Sequence, residues 1–332
     1  MIKRIKINNL SENKALVLSF LMALLVWLGW YQYTVPQSWT LLRQHWEITL
    51  TMIFGSFIAG ATSEGGGAIA FPVFTKALHI ASRDAKIFSL AIQSIGMSAA
   101  SVTILLLRIK IAWPVIIWAS LGGIPGIMIS SGSLAPIIPA ELVRLSFTAM
   151  VSGFAVTLAV LNWNGRNYND SLPVFTINEK AITLLAGFCG GIMSGLVGNG
   201  IDIICFSVMV LLFRISEKIA TPTSVVLMAF NALVGFLLHA LILQEFTAEI
   251  KHYWLAAVPV VVLGAPLGAY LCSRLNNQTI ATVLIVLIVL ELITSLWVIQ
   301  LNMLRIVISG SLGLLFMVAY LWMARSKYYI SD

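Results

Sequence analysis

Ser63-Glu64-Gly65-Gly66-Gly67 and Gly198-Asn199-Gly200-Ile201-Asp202 each interrupt a long apolar run of this 332-residue chain with glycines and one carboxylate. The runs they interrupt, about 48 to 79 and 181 to 213, otherwise read as sequence that sits in lipid. Inside a bilayer an unpaired backbone amide or carbonyl costs several kcal/mol, so non-helical chain persists there only where protein covers it or water reaches it. Two such interruptions in one chain are the pattern of a ligand site built from paired broken helices.

Composition fixes the class. Hydrophobic residues make up 59% of the chain and charged residues only 10%, with a mean hydropathy of +0.96, whereas soluble domains carry roughly 25% charged residues. Runs of about 20 apolar residues cross the hydrocarbon layer. Such runs fall near 15 to 34, 48 to 79, 87 to 107, 111 to 131, 142 to 162, 181 to 213, 219 to 243, 253 to 272, 279 to 300 and 304 to 324. The expected fold class is therefore all-α, a polytopic membrane helix bundle of about ten apolar segments, with two structural repeats that each open on a Gly-broken helix. The net charge of +7 lies singly or in small groups between the runs, as orienting loop charges do, so no nucleic-acid partner is expected. Cys189, Cys205 and Cys272 are isolated and lack metal-ligand spacing, so neither a metal nor a cofactor is expected. No Gly-x-x-x-x-Gly-Lys-Ser/Thr loop occurs, which argues against ATP hydrolysis by this chain.

Lys3, Arg4, Lys6 and Lys14 precede the first run. That run is longer than a signal core, and Val35-Pro36-Gln37-Ser38 lacks a small-x-small cleavage pattern, so it reads as an uncleaved span. Trp27, Trp30, Tyr31, Tyr33 and Trp39 at its far end suggest an interfacial belt. The polar joint from Asn162 to Glu179 divides the remainder into halves that resemble each other. Superposing Gly66 on Gly200 also superposes Ser82 on Ser216, and Gly123-Ile124-Pro125 has a counterpart in Gly264-Ala265-Pro266. The organisation expected is a basic segment and added first span at 1–47, repeat 1 at 48–162, a connecting loop at 163–178, repeat 2 at 179–300, and an added last span with a basic tail at 301–332. If each interrupted segment crosses the membrane once the repeats are parallel; if each dips in and returns they are inverted. Either arrangement leaves the larger share of Lys and Arg on the N-terminal side, so both termini are expected to be cytoplasmic. Arg144 counts here among the orienting charges.

Over about residues 45 to 300 the chain resembles the TauE/SafE sulfite exporter family, also called the toluene-sulfonate uptake permease family. That family typically shows Gly-x-Gly-Gly-Gly followed by a proline near the start of each of two related halves. The matching residues are Gly65-Gly66-Gly67 with Pro72, and Gly198-Asn199-Gly200. The chain departs from the pattern at Ser63 and Glu64, which stand where glycine and an aliphatic residue are commoner, and in having no proline after Gly200 at the spacing of Pro72. The resemblance implies a secondary transporter of small, sulfur-containing anions such as sulfite or sulfonates, in the bacterial cytoplasmic (inner) membrane.

The residues give a site independently of the family. A half-helix that begins within the bilayer aims unpaired amides, equivalent to about half a positive charge, at whatever lies before it, which favours an anion. Candidate substrate contacts are Thr62, Ser63, Gly65, Gly66 and Gly67 at the first break and Gly198, Asn199 and Gly200 at the second. Gln93, on a small and polar helix face with Ser89, Gly96 and Ala100, joins them, as do Thr221, Thr223 and Asn231 in the corresponding segment. The competing reading of such residues is close helix packing. Glu64 and Asp202 should be protonated, paired or ion-bound at mid-membrane, which makes them candidates for proton or ion coupling; Asp202 also suits a helix N-terminal cap. Glu291, mid-way along its apolar run, needs a partner or a cavity. The partners expected are a small anion, the lipid bilayer and a coupling proton or ion, and the chain is compatible with a homo-oligomer. A competing class is an intramembrane serine protease using Ser194 and His239, which would need those two side chains within hydrogen-bond reach and an oxyanion site beside them.

Overall fold

The computed structural model describes residues 2–65, 70, 73–163, 168–172, 175–299 and 301–326. Gly66 and Gly67 lie outside the described residues. The chain is helical with no strand among the described residues, and a single bridge joins Asn169 to Ile215. In order the helices are α1 (Ile2–Thr34), α2 (Ser38–Gln44), α3 (Trp46–Ala61), α4 (Ser82–Leu106), α5 (Trp113–Ile129), α6 (Ala140–Trp163), α7 (Ile177–Val197), α8 (Ile201–Ser207), α9 (Glu217–Leu237), α10 (Ala248–Arg274), α11 (Asn277–Val298) and α12 (Met303–Arg325). Short π-helical turns follow at Val73–Ala77, Ser130–Leu134, Val208–Leu212 and Leu238–Ile242. Among the described residues nine helices are long and apolar enough to span a membrane. Eight of the ten expected runs become one span each. The run at 181 to 213 divides into a span at Ile177–Val197 and a short apolar return at Ile201–Leu212, while only Trp46–Ala61 of the run at 48 to 79 forms an apolar helix, one too short to span.

Helix starts follow local chemistry. Thr176 and Glu179 form a capping box at α7, and the side chains of Thr247, Asn276 and Asn302 accept from the backbone N–H groups of Ile250, Thr279 and Arg305, satisfying donors that a helix start leaves orphaned.

Contacts between helix ends show how the chain threads the bundle. Trp27 and Trp30 of α1 donate to the carbonyls of Pro259 and Leu255 on α10, at 2.8 and 2.7 Å, so these two tryptophans are tied to protein rather than free in a belt. Thr49 of α3 donates to Ala256 at 2.9 Å, and Arg83 pairs with Glu245 just before α10. The ends of these elements therefore share one end of the bundle, the Trp30 end. At the opposite end Lys110 donates to the Asp170 carbonyl, Asn169 bridges to Ile215, and the Lys218 N–H bonds Asn277 Oδ1 at 3.1 Å.

The two interrupted segments reverse direction inside the protein. Helix α3 runs alongside α10, with Thr49 at Ala256, Gly60 against Ala265 and Ala61 against Gly268. The chain then comes back: Phe74 meets Phe88 edge-on at 4.9 Å, and Arg83 regains the Trp30 end. Helix α7 runs alongside α5, with Gly187 on Ala119 and Gly191 on Gly123. After the turn at Gly198 to Gly200, α8 doubles back, Ile201 lying against Gly190, and the chain regains the Lys218 end at Ile215. Small residues line both seams because only they let helix backbones approach this closely. Around these segments α4 packs on α9, α6 on α11 and α12, and α1 on α4 and α10.

Candidate functional site

The two reversals meet at their tips. Asn199 Nδ2 donates to the Glu64 carbonyl at 3.0 Å, and a Cβ placed on Gly65 would sit 3.5 Å from both Asn199 Nδ2 and Asp202 Oδ2. Gly65, Gly198 and Gly200 have φ of 74°, 97° and 139°, a left-handed region that other residues rarely occupy. The Gly198 carbonyl, freed by the turn, accepts from Gln93 Nε2 at 3.1 Å and from Ser89 Oγ at 3.3 Å. Asp202 Oδ1 accepts from the N–H groups of Gly200 and Ile203 at 3.1 and 3.0 Å, so the cap-like role suits it. Ser194 Oγ accepts from the Ile201 N–H at 3.1 Å.

Two buried polar atoms at these tips, Ser63 Oγ and Gln93 Oε1, have no hydrogen-bond partner among the described residues, and the buried Glu64 carboxyl has only another carboxyl, that of Glu291, as a side-chain partner. Leaving such an atom unsatisfied costs about 1–3 kcal/mol, which marks a place prepared for water, proton or ligand.

The side chain that sequence reasoning misplaced is Arg144. It is 4% exposed, not an orienting surface charge. Its Nη2 lies 3.4 Å from Glu291 Oε1, which also lies 3.4 Å from Thr148 Oγ1; that hydroxyl bonds Ser295 Oγ at 3.0 Å. The partner that Glu291 required is therefore Arg144. Glu64 interacts electrostatically with Glu291, Arg144 and Asp202, so one guanidinium serves two buried carboxyls, Glu291 and Glu64, while Asp202 interacts with Glu64. Sequence held a signal for this network: Thr148 follows Arg144, and Ser295 follows Glu291, by one helical turn on the same face.

Arg144, Asn199, Gln93, Ser89 and Ser56 supply the polar wall of a cavity of about 40 Å³, closed on its other sides by Phe74, Phe88, Met52, Met97 and Val261. That volume has room for about three waters. Thr62 borders the tip but its hydroxyl is spent on the Ile58 carbonyl, at 3.0 Å. Three expected contacts lie elsewhere. Thr223 holds the start of α5, accepting from the Ala112 N–H at 2.9 Å and donating to Ile219 O. Asn231 lies beside Gly123, and neither amide atom has a hydrogen-bond partner among the described residues. Thr221 lines a separate narrow pocket with Lys218. Ser194 and His239 do not form a catalytic pair: Ser194 caps α8, and His239 Nδ1 lies 2.7 Å from Glu245 Oε2 at the Trp30 end. No group of three or more His, Cys, Asp or Glu that could hold a metal occurs among the described residues.

Residues 48–295 match the family model of the sulfite exporter TauE/SafE. The chain belongs to the TauE/SafE family. No curated protein and no solved structure matches it. Membership makes it an integral membrane protein of a transporter family, and the matched span takes in both reversals, Arg144 and Glu291. The TauE/SafE match begins after α1 and ends before α12, the two outlying helices.

Proposed function

We propose that this TauE/SafE protein is a secondary transporter that moves a small sulfur-containing anion, sulfite or a sulfonate, through the cavity between the two reversals, coupled to a proton carried by Glu64 with Asp202 nearby. The observation that carries this reading is a guanidinium buried beside two carboxyls, Glu291 and Glu64, at a cavity, with Asp202 beside Glu64. Several uncompensated buried charges are too costly to coexist, so with Arg144 charged, most of the carboxyls must hold protons. An anion entering beside Arg144 competes with Glu291 for the guanidinium, and its arrival favours protonation of Glu64. Anion and proton thus bind together and leave together. Ser63, Gly65, Gln93, Gly198, Asn199 and Gly200 supply neutral hydrogen bonds and close backbone approach.

The reading includes a duplicated chain with inverted halves. Supporting it, His79 and Arg214 each adopt positive φ after the return of a reversal, and Arg108 and Gln244 do so after the next long helix. The packing also exchanges the halves: α3 lies on α10 as α7 lies on α5. The Lys218 end carries Lys14, Arg108, Lys110 and Arg274, so the positive-inside rule makes it cytoplasmic, with both termini there, in a bacterial inner membrane.

Purified protein in proteoliposomes should show saturable sulfite or methanesulfonate flux that a pH gradient accelerates. Flux indifferent to the gradient would remove the coupling, and absence of saturable flux for both anions would remove the transporter reading.

A further inference from the structure

Three cavities follow one another along α4 and α10. The central one touches Gly96 and Met97 of α4 and Val261 and Ala265 of α10. A narrow pocket of about 10 Å³ follows, bounded by Ile104, Ala269 and Cys272, and containing Thr221 and Lys218. Beyond it a recess of about 890 Å³ opens at the Lys218 end, sharing Ile109, Lys218 and Ser273 with the pocket. Lys14, Arg108, Lys110, Lys218 and Arg274 line the recess, against a single carboxylate among the described residues, Asp170. Such a like-signed concave wall raises the local concentration of opposite charge. Thr221 is 1% exposed and its hydroxyl has no hydrogen-bond partner among the described residues. Between the narrow pocket and the central cavity stands a backbone contact: a Cβ on Gly60 would lie 2.0 Å from the Ala265 carbonyl oxygen.

We infer that the basic recess is the mouth by which a small oxyanion reaches the central cavity from the Lys218 end, passing Lys218 and Thr221 at the narrow pocket, which must widen to admit it, and then the Gly60–Ala265 contact as the barrier. The inference rests on the transporter reading for its purpose, and its test is separate. The same cationic chemistry would suit a phospholipid headgroup. The small anion is favoured because the recess leads inward to a buried, unpartnered hydroxyl that a headgroup does not need.

Cys272 lines the narrow pocket and reports access to it. In full-length protein carrying Cys189→Ser and Cys205→Ala, reconstituted in neutral lipid, labelling of Cys272 by a sulfonate-bearing thiosulfonate is compared with labelling by its trimethylammonium analogue. Each rate is normalised to that reagent's rate with a small thiol in solution. The anionic reagent should lead by about tenfold, the lead should shrink with added salt, and Lys218→Gln with Arg274→Gln should cut it severalfold. Methanesulfonate should protect Cys272, and protection should weaken in Thr221→Val. Equal normalised rates, or no labelling by either reagent, would overturn the inference. So would protection that follows the phosphatidylglycerol content of the vesicles rather than methanesulfonate, which would make the recess a headgroup site. Anion flux without the labelling bias would overturn the mouth while leaving the transporter reading intact; the bias without flux would sustain the mouth and remove the transporter.

Discussion

Arg144 and Glu291 are the residues on which the account turns; Glu291 was legible as a residue that needed a partner or a cavity, and Thr148 and Ser295 marked a polar face on each helix, but Arg144 read as an orienting charge. Only packing of α6 on α11 brings the two together. Glu64 and Asp202 were legible, because a carboxylate beside glycine in an apolar run is too costly to keep unless a partner, a proton or a cavity serves it. Breaking the buried pair should be costly: Arg144→Gln strands a carboxylate and should destabilise by about 3–5 kcal/mol, read as a lowered thermal midpoint in detergent. Arg144→Gln with Glu291→Gln should recover most of that stability without recovering anion transport. If the single variant unfolds at the wild-type temperature, the pair is not as buried as described. Gly200→Ala forces a side chain into φ 139° and brings its Cβ to 2.8 Å from that of Met193; a loss of about 1 kcal/mol or more is expected in the same melt, and an unchanged midpoint would count against the turn.

At the scale of elements, the apolar runs predicted most spans to within a few residues, since a run of that length has no other stable form in lipid. The reversals were recognisable as interruptions but not as reversals: composition is the same whether a segment crosses or returns, and only inter-helix contacts distinguish the two. Thr223 shows the same limit, a polar residue on the expected face whose hydroxyl secures a neighbouring helix start. The segment between α9 and α10 forms a latch at the Trp30 end, where Glu245 joins Arg83 and His239. Burial would push the Glu245 carboxyl up, but hydrogen bonds from Arg83 and His239 outweigh it and hold it below its ordinary value of 4.5. The latch is therefore made at neutral pH and is lost as pH falls through that lowered value. Hydrogen exchange of residues 243–247, corrected for intrinsic rates, should accelerate on acidification in the wild type and be fast at every pH in Glu245→Gln. Protection in the wild type that ignores pH would refute the latch.

For the whole molecule, the proposed inverted halves would place Lys14, Lys218 and Arg274 on one side of the membrane and Arg83 and Lys251 on the other. Single cysteines at these positions, labelled with an impermeant maleimide in oriented vesicles, should divide into those two sets; Arg83→Cys labelling with Lys14→Cys would restore the crossing arrangement. Sequence symmetry suggested the duplication, and the positive-inside count could not choose its hand, because moving whole loops across the membrane left the balance unchanged. What the fold adds is convergence: two reversals from opposite ends meet at one cavity with a buried guanidinium from α6, which pairs behind it with a carboxyl from α11. The most direct test of that claim is equilibrium binding of methanesulfonate, whose own charge is constant across the range, to wild type, Arg144→Gln and Glu64→Gln at several pH values. Wild-type affinity should rise as pH falls, Glu64→Gln should bind with that dependence flattened, and Arg144→Gln should lose binding. Full affinity in Arg144→Gln, or an unaltered pH dependence in Glu64→Gln, would contradict the account.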